Sequence, residues 1–158
     1  MSKISEKKRI VIKIGSSSLT HSTGMLNIRK IETFVKVLAD LKNSGKEIIL
    51  VSSGAQAVGI GKLGLKEKPK DIPTKQAVAA IGQCELMYIY DKQFSMYNHI
   101  VSQVLLTKDV VDVDARKQNV INTLSRLLEI GSIPVINEND TVSYEEIEFG
   151  DNDTLSAI

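Results

Sequence analysis

Four short apolar runs, each stopping abruptly in small polar residues, constrain this chain more than anything else in it. Arg9-Ile10-Val11-Ile12-Lys13-Ile14 runs into Gly15-Ser16-Ser17-Ser18, and Glu47-Ile48-Ile49-Leu50-Val51 into Ser52-Ser53-Gly54. His99 to Leu106 runs into Thr107-Lys108-Asp109, and Ile133-Pro134-Val135-Ile136 into Asn137-Glu138-Asn139-Asp140. Runs of this length, rich in β-branched residues and bounded by turn formers, read as buried strands. Pro134 marks the start of its strand rather than the centre, because proline cannot donate to a ladder.

The segments between the runs carry helical spacing. Ile28, Ile31, Val35, Leu38 and Leu41 lie on one helix face, with Asn27 as N-cap and Gly45 as stop. Gly54 to Gly64 is small and Gly-rich, a short helix that packs tightly or opens at a ligand. Lys66 to Pro73, with five charged residues and two prolines, reads as loop. A longer helix follows from about Thr74 to Tyr97, with Val78, Ile81, Leu86, Ile89 and Phe94 broadly on one side and Gly82 as an interruption. Asp112 to Ile130 has a stripe of Val120, Leu124, Leu127 and Leu128, closed by Gly131. Thr141 to Phe149 reads as a polar hairpin, and Gly150-Asp151-Asn152-Asp153 opens a last segment. The alternation β-α-β-α-β-α-β implies an α/β layered fold with a mostly parallel sheet and right-handed crossovers. In such folds ligands gather beyond the carboxyl ends of the strands.

Composition narrows what those ligands are. The chain has 158 residues, with 20 Lys+Arg against 19 Asp+Glu, and a domain of that size buries roughly 68–70% of its unfolded surface without staples. The balanced charge argues against nucleic acid as a partner, and 4% aromatics with no Trp argue against stacking on bases. No apolar run approaches the roughly 20 residues of a membrane span. The single cysteine, Cys84, excludes an intramolecular disulfide, and the basic start has no apolar signal region. The expectation is a cytoplasmic protein acting on a small polar ligand.

Several motifs fail on their context. Gly59-Ile60-Gly61-Lys62-Leu63-Gly64 matches G-x-G-x-x-G, but a dinucleotide fingerprint follows a strand directly, so this string reads as a helix end and turn. A P-loop is absent. Asp109, Asp112 and Asp114 lack the glycine and the bidentate glutamate of a calcium loop and read as a solvated helix entry. His21 and His99 have no partners at metal-ligand spacing, and Cys84 has no evident base. No metal site is expected.

What survives is the set of polar strand ends. By period-2 counting Lys13 shares a strand face with Val11; it is either a solvent-facing lysine or one buried against an anion, a carboxylate or a phosphate. Gly15 and Gly54 let a backbone approach closely, and Ser53 adds a neutral donor. Asp140 suits an ammonium, Asn137 and Asn152 a carboxylate or amine, and Asp151 or Asp153 would hold Lys13 in position.

Taken jointly, Val11-Ile12-Lys13-Ile14-Gly15-Ser16-Ser17, Val51-Ser52-Ser53-Gly54-Ala55, Pro134-Val135-Ile136-Asn137-Glu138-Asn139-Asp140 and Gly150-Asp151-Asn152-Asp153-Thr154-Leu155-Ser156-Ala157 resemble the amino-acid kinase family. The N-E-N-D and G-D-N-D pair resembles the branch acting on free glutamate at the first step of proline biosynthesis. The resemblance implies a three-layer αβα sandwich and transfer of the γ-phosphoryl group of Mg·ATP to the side-chain carboxylate of L-glutamate. It implies Lys13 as the phosphate-facing lysine, Gly15 beside the transferring group and the nucleotide, and Asp153 as the carboxylate organising catalytic lysines. Ser53, Asp140 and Asn152 are then substrate-binding, with Asn137 a further contact. Residues 1–158 resemble the substrate-binding half, with the nucleotide-binding half and any RNA-modification-type (PUA) domain absent; such a piece is expected to be inactive alone. Proline as feedback inhibitor and a homodimer or homotetramer are also implied. The alternatives are an acetylglutamate or carbamate kinase, a non-catalytic module holding glutamate or proline, and, on the misplaced glycine string, a dehydrogenase.

Overall fold

A computed structural model describes residues 8–107, 110 and 113–142. Within them the order is β1 (Arg9–Ile14), α1 (Ser16–Leu19), α2 (Ile28–Asn43), β2 (Glu47–Ser52), α3 (Ala55–Leu63), α4 (Ile72–Ser95), β3 (Val101–Leu106), α5 (Asp114–Ile130) and β4 (Ile133–Glu138). All strand pairs are parallel, in the order β1-β2-β4-β3. The anticipated hairpin from Thr141 to Phe149 and the segment from Gly150 lie outside the described residues, apart from Thr141 and Val142, which turn back as Val142 N–H donates to Asn139 O at 3.1 Å.

Side-chain alternation in the sheet builds the layers. Ile48 and Leu50 of β2, with Ile133 and Val135 of β4, face one core with Leu19 of α1, Ile31, Val35 and Leu38 of α2, Val58 of α3, and Leu86 and Phe94 of α4. Ile49, Val51 and Ile136 face the other, against Leu128 of α5 and Leu106 of β3. Helices α1–α4 therefore form one layer and α5 the opposite one, a three-layer αβα sandwich. β2 is buried on both sides, as an interior parallel strand must be, whereas β1 alternates and leaves Arg9, Val11 and Lys13 exposed on the α5 side. At the amino edge of the sheet Glu47 takes Lys8 at 3.0 Å and Arg9 at 2.8 Å. Hydrogen bonds from Lys8 and then Arg9 hold its carboxyl below the usual carboxylate range.

The caps follow their chemistry. Asn27 accepts from Lys30 N–H at 3.1 Å and starts α2. Gly64 and Gly131 close α3 and α5 in the left-handed conformation. Departures from expectation have local causes. The polar segment after β1 contains one helical turn, α1, whose Leu19 is driven into the core. α4 begins at Ile72, not Thr74, because Asp71 caps it by accepting from Thr74 N–H at 2.9 Å and Pro73 suits a first turn. Its buried stripe is Val78, Ala79, Gly82, Leu86, Tyr90 and Phe94, while Ile81 faces out.

Gly82 does not interrupt α4. A Cβ there would lie 1.7 Å from the Ala55 carbonyl oxygen, and one at Gly59 would lie 2.0 Å from that of Val78. Two helices thus cross backbone to backbone, with the glycines making the approach possible. Gly61 similarly admits the Gly24 carbonyl, 2.2 Å from its would-be Cβ. The glycine string is a packing device at a helix that ends in a turn, as its context suggested. Gly82→Ala should lower stability by about 2–3 kcal/mol by forcing α3 off α4, whereas Gly15→Ala, which meets nothing within 4 Å, should leave the melting temperature unchanged. Thermal unfolding of the two variants checks this.

Candidate functional site

The crossovers choose one end of the sheet. The chain leaves β1 and β2 toward the α2–α4 layer but leaves β3 toward α5, so the connections diverge above the carboxyl end of β4, which lies between β2 and β3. In parallel α/β folds ligands collect at such a divergence, and Glu138, Asn139 and Asp140 lie at the carboxyl end of β4. The edges are pinned one step past the ladder, by Ser53 N–H to Ile14 O at 3.0 Å and Asn139 N–H to Leu106 O at 2.7 Å.

The sequence-selected residues distribute as follows. Lys13, Gly15, Ser53 and Asp140 all reach this carboxyl edge, along β1, β2 and β4 in that spatial order. Two strand spacings separate β1 from β4, about 9–10 Å. Lys13 pairs across the ladder with Val51 and is exposed on the α5 side. Gly54 adopts φ +97°, and a Cβ there would come within 3.0 Å of Ser16 Cβ, so the turns after β1 and β2 touch. Ser53 is half-buried between them and the first turn of α3, whose N–H groups open toward the same edge.

Asn137 differs from its expected place. β4 continues to Glu138, so Asn137 is a strand residue only 2% exposed, not an open loop residue. Its Nδ2 donates to Gln83 Oε1 of α4 at 2.7 Å, and its Oδ1 accepts from Glu138 N–H at 2.9 Å. By alternation it faces the α4 layer, opposite Lys13. Glu138, 8% exposed, is a buried carboxylate that the sequence reading passed over; its place at the end of a run extending two residues beyond Ile136 was the only signal. Asn152, Asp153, Asp151, Asp109 and Asp112 lie outside the described residues. Asp114 is the exposed first residue of α5. No cluster of three His, Cys, Asp or Glu side chains suited to a metal occurs among the described residues. His21 borders a mostly apolar surface groove along α2 of about 810 Å³, and His99 reaches the Ala39 carbonyl at 3.4 Å.

A second polar bridge was illegible in the sequence. Ser52 Oγ and Tyr90 Oη lie 2.9 Å apart, both about 1% exposed, and join β2 to α4 next to Ser53. Burial pushes the Tyr90 phenol up to about 12, opposed in part by the Ser52 hydrogen bond. Tyr90 appeared only as one more aromatic in a helical stripe.

The chain belongs to a recognised class of protein. Residues 8–158 match the model of the amino acid kinase family, and the chain belongs to that family. It is 54% identical over 98% of its length to a protein named glutamate 5-kinase from Clostridium perfringens, and 55% identical over 98% to one from Listeria innocua. A third of that name, from Carboxydothermus hydrogenoformans, is 58% identical over 95%. The chain spans 59%, 58% and 41% of those proteins, respectively. The crystal structure of T. acidophilum isopentenyl phosphate kinase superposes with a TM-score of 0.54 at 16% identity, covering 82% of this chain and 54% of that one. At that identity the likeness concerns the fold.

Tyr90 supplies a test of the bridge. Its raised phenol makes a contribution to stability that is fully present below pH 10 and lost as pH rises toward 12, because the unfolded chain releases that proton first. The wild type should lose about 2–3 kcal/mol more than Tyr90→Phe over that window, and at pH 7 Tyr90→Phe should cost about 1–2 kcal/mol by removing the buried hydrogen bond between Ser52 and Tyr90. Urea unfolding at pH 7, 10 and 12 measures both.

Proposed function

We propose that the chain is the substrate-binding part of an ATP-dependent kinase that phosphorylates the side-chain carboxylate of L-glutamate, the first step of proline biosynthesis. The observation that carries the reading is the convergence of Lys13, Ser53 and Asp140 on one sheet edge, in a chain more than half identical to proteins named glutamate 5-kinase. The acceptor carboxylate is already ionised, so no general base is required, in keeping with a site built without histidine or cysteine. The barrier lies in bringing two anions together, which calls for cations, N–H donors and alignment.

Roles follow from chemistry and position. Asp140 takes the α-ammonium of glutamate, which favours the free amino acid over an acylated one. Ser53 and the first N–H groups of α3 take carboxylate oxygens, with Asn152 as a further contact and Asn137 behind it. Lys13 meets the phosphoryl oxygens of ATP as charge moves, and Asp153 organises the lysines around them. Gly15, beside which a Cβ would meet nothing within 4 Å, leaves room for a phosphate. Mg2+ enters with the nucleotide as part of the substrate. The main nucleotide-binding elements belong to the remainder of the longer relatives. Proline at the same pocket as feedback inhibitor, a homo-oligomeric state and a cytoplasmic location complete the reading.

Calorimetry on the chain should show heat for L-glutamate and none for ATP; heat for neither amino acid nor nucleotide overturns the assignment. In a protein of the relatives' full length carrying this segment, Lys13→Ala should lower kcat by about 10²–10³ with glutamate affinity little changed. Asp140→Ala should chiefly raise the glutamate KM. Steady-state kinetics with glutamate, N-acetylglutamate and carbamate separates this reading from the other kinases of the family.

A further inference from the structure

A polar contact joins α4 to the end of β4 through one side chain, Gln83. It follows Gly82, whose Cα is packed against the first turn of α3 just after Ser53, and its Oε1 reaches Asn137 on β4. Gln83 therefore stands between the Ser53 turn and the strand that delivers Asp140.

The chemistry of the two amides sets their polarity. A backbone N–H only donates, so the Asn137 atom 2.9 Å from Glu138 N is the carboxamide oxygen. The amino end then faces Gln83, whose atom at 2.7 Å is the acceptor oxygen. Gln83 supplies an acceptor to the nitrogen of a carboxamide only 2% exposed, so removing that acceptor breaks one of the bonds that orient it. Seven positions along α4, Tyr90 makes the corresponding bridge to Ser52 on β2. The same helix thus fixes both strands whose ends carry the acceptor-binding residues.

We propose that Gln83 is a positioning residue for the amino-acid pocket, acting through Asn137: it fixes the orientation of that carboxamide and with it the path of β4 into Asp140. The proposal rests on the glutamate-binding reading given above. Gln83 does not touch the substrate; it decides what β4 presents to it.

Two measurements on the chain test this. In 15N spectra, Gln83→Met, which keeps the length of the side chain and removes the oxygen, should move the Asn137 side-chain amide signals, while Gln83→Glu, which keeps an acceptor, should restore them toward wild-type positions. By calorimetry, Gln83→Met and Asn137→Ala should each weaken L-glutamate binding about tenfold, and the double variant should bind no more weakly than Asn137→Ala alone. Multiplying effects, or an Asn137 amide indifferent to Gln83→Met, overturn the proposal. A wild-type chain that ignores glutamate overturns the functional reading instead, and the amide signals still decide whether Gln83 positions Asn137.

Discussion

The backbone-to-backbone crossing of α3 and α4 is the contact on which the rest of the molecule depends. Two glycines, Gly59 and Gly82, let carbonyls approach to within 1.7–2.0 Å of where a Cβ would stand. That closeness places the Ser53 turn against α4 and lets Gln83 and Tyr90 reach across to the sheet. A helix pair held at ordinary side-chain distance sits 8–10 Å apart; here the smaller gap brings polar side chains of α4 onto strand ends that a normal apolar layer would cover. The packing and the site are one arrangement.

Much of this was legible because it depends on periodicity. The four strands, the α2 stripe, the Asn27 cap and the Gly64 and Gly131 stops are local signals, and each agrees with the fold it enters. Strand order was not local. That β4 inserts between β2 and β3 follows from which apolar faces meet, and no single segment announces it. The same limit explains Gly82: a glycine inside a helical pattern reads as a weakness unless its partner helix is known. Pro73 misled in the opposite way, reading as loop where it opens a helix.

The site was legible as residue types and less so as directions. Lys13, Ser53 and Asp140 are recognisable at strand ends, and parallel topology alone brings such ends to one edge. Asn137 shows the remaining difficulty. Two residues of extra strand turn an apparent loop amide into a buried one, because alternation sends it toward α4. Its partner Gln83 lies 54 positions away and carries no motif. Long-range polar pairs of this kind are invisible to spacing arguments, yet they govern which atoms a strand end presents.

The sheet also sets a length for whatever it holds. Asp140 at the end of β4 and Lys13 near the end of β1 stand two strand spacings apart, about 9–10 Å. Glu138 at the end of β4 and Asp140 just beyond it stand on the interior of the strand order, with Lys13 near the end of the edge strand β1. On the proposed reading, an amino acid held at Asp140 by its ammonium would run outward from negative to positive ground before its own carboxylate met a cation. A short acceptor would leave its carboxylate among the acidic residues, where bringing up a phosphate is most costly. On that reading, a chain with an extra carboxylate at its far end, aligned across β2 past Ser53, would reach the Lys13 side, where the charge of a transferring phosphoryl group would be opposed rather than repelled. On the proposed reading, selectivity for glutamate is written into the spacing of parallel strands as much as into any one side chain.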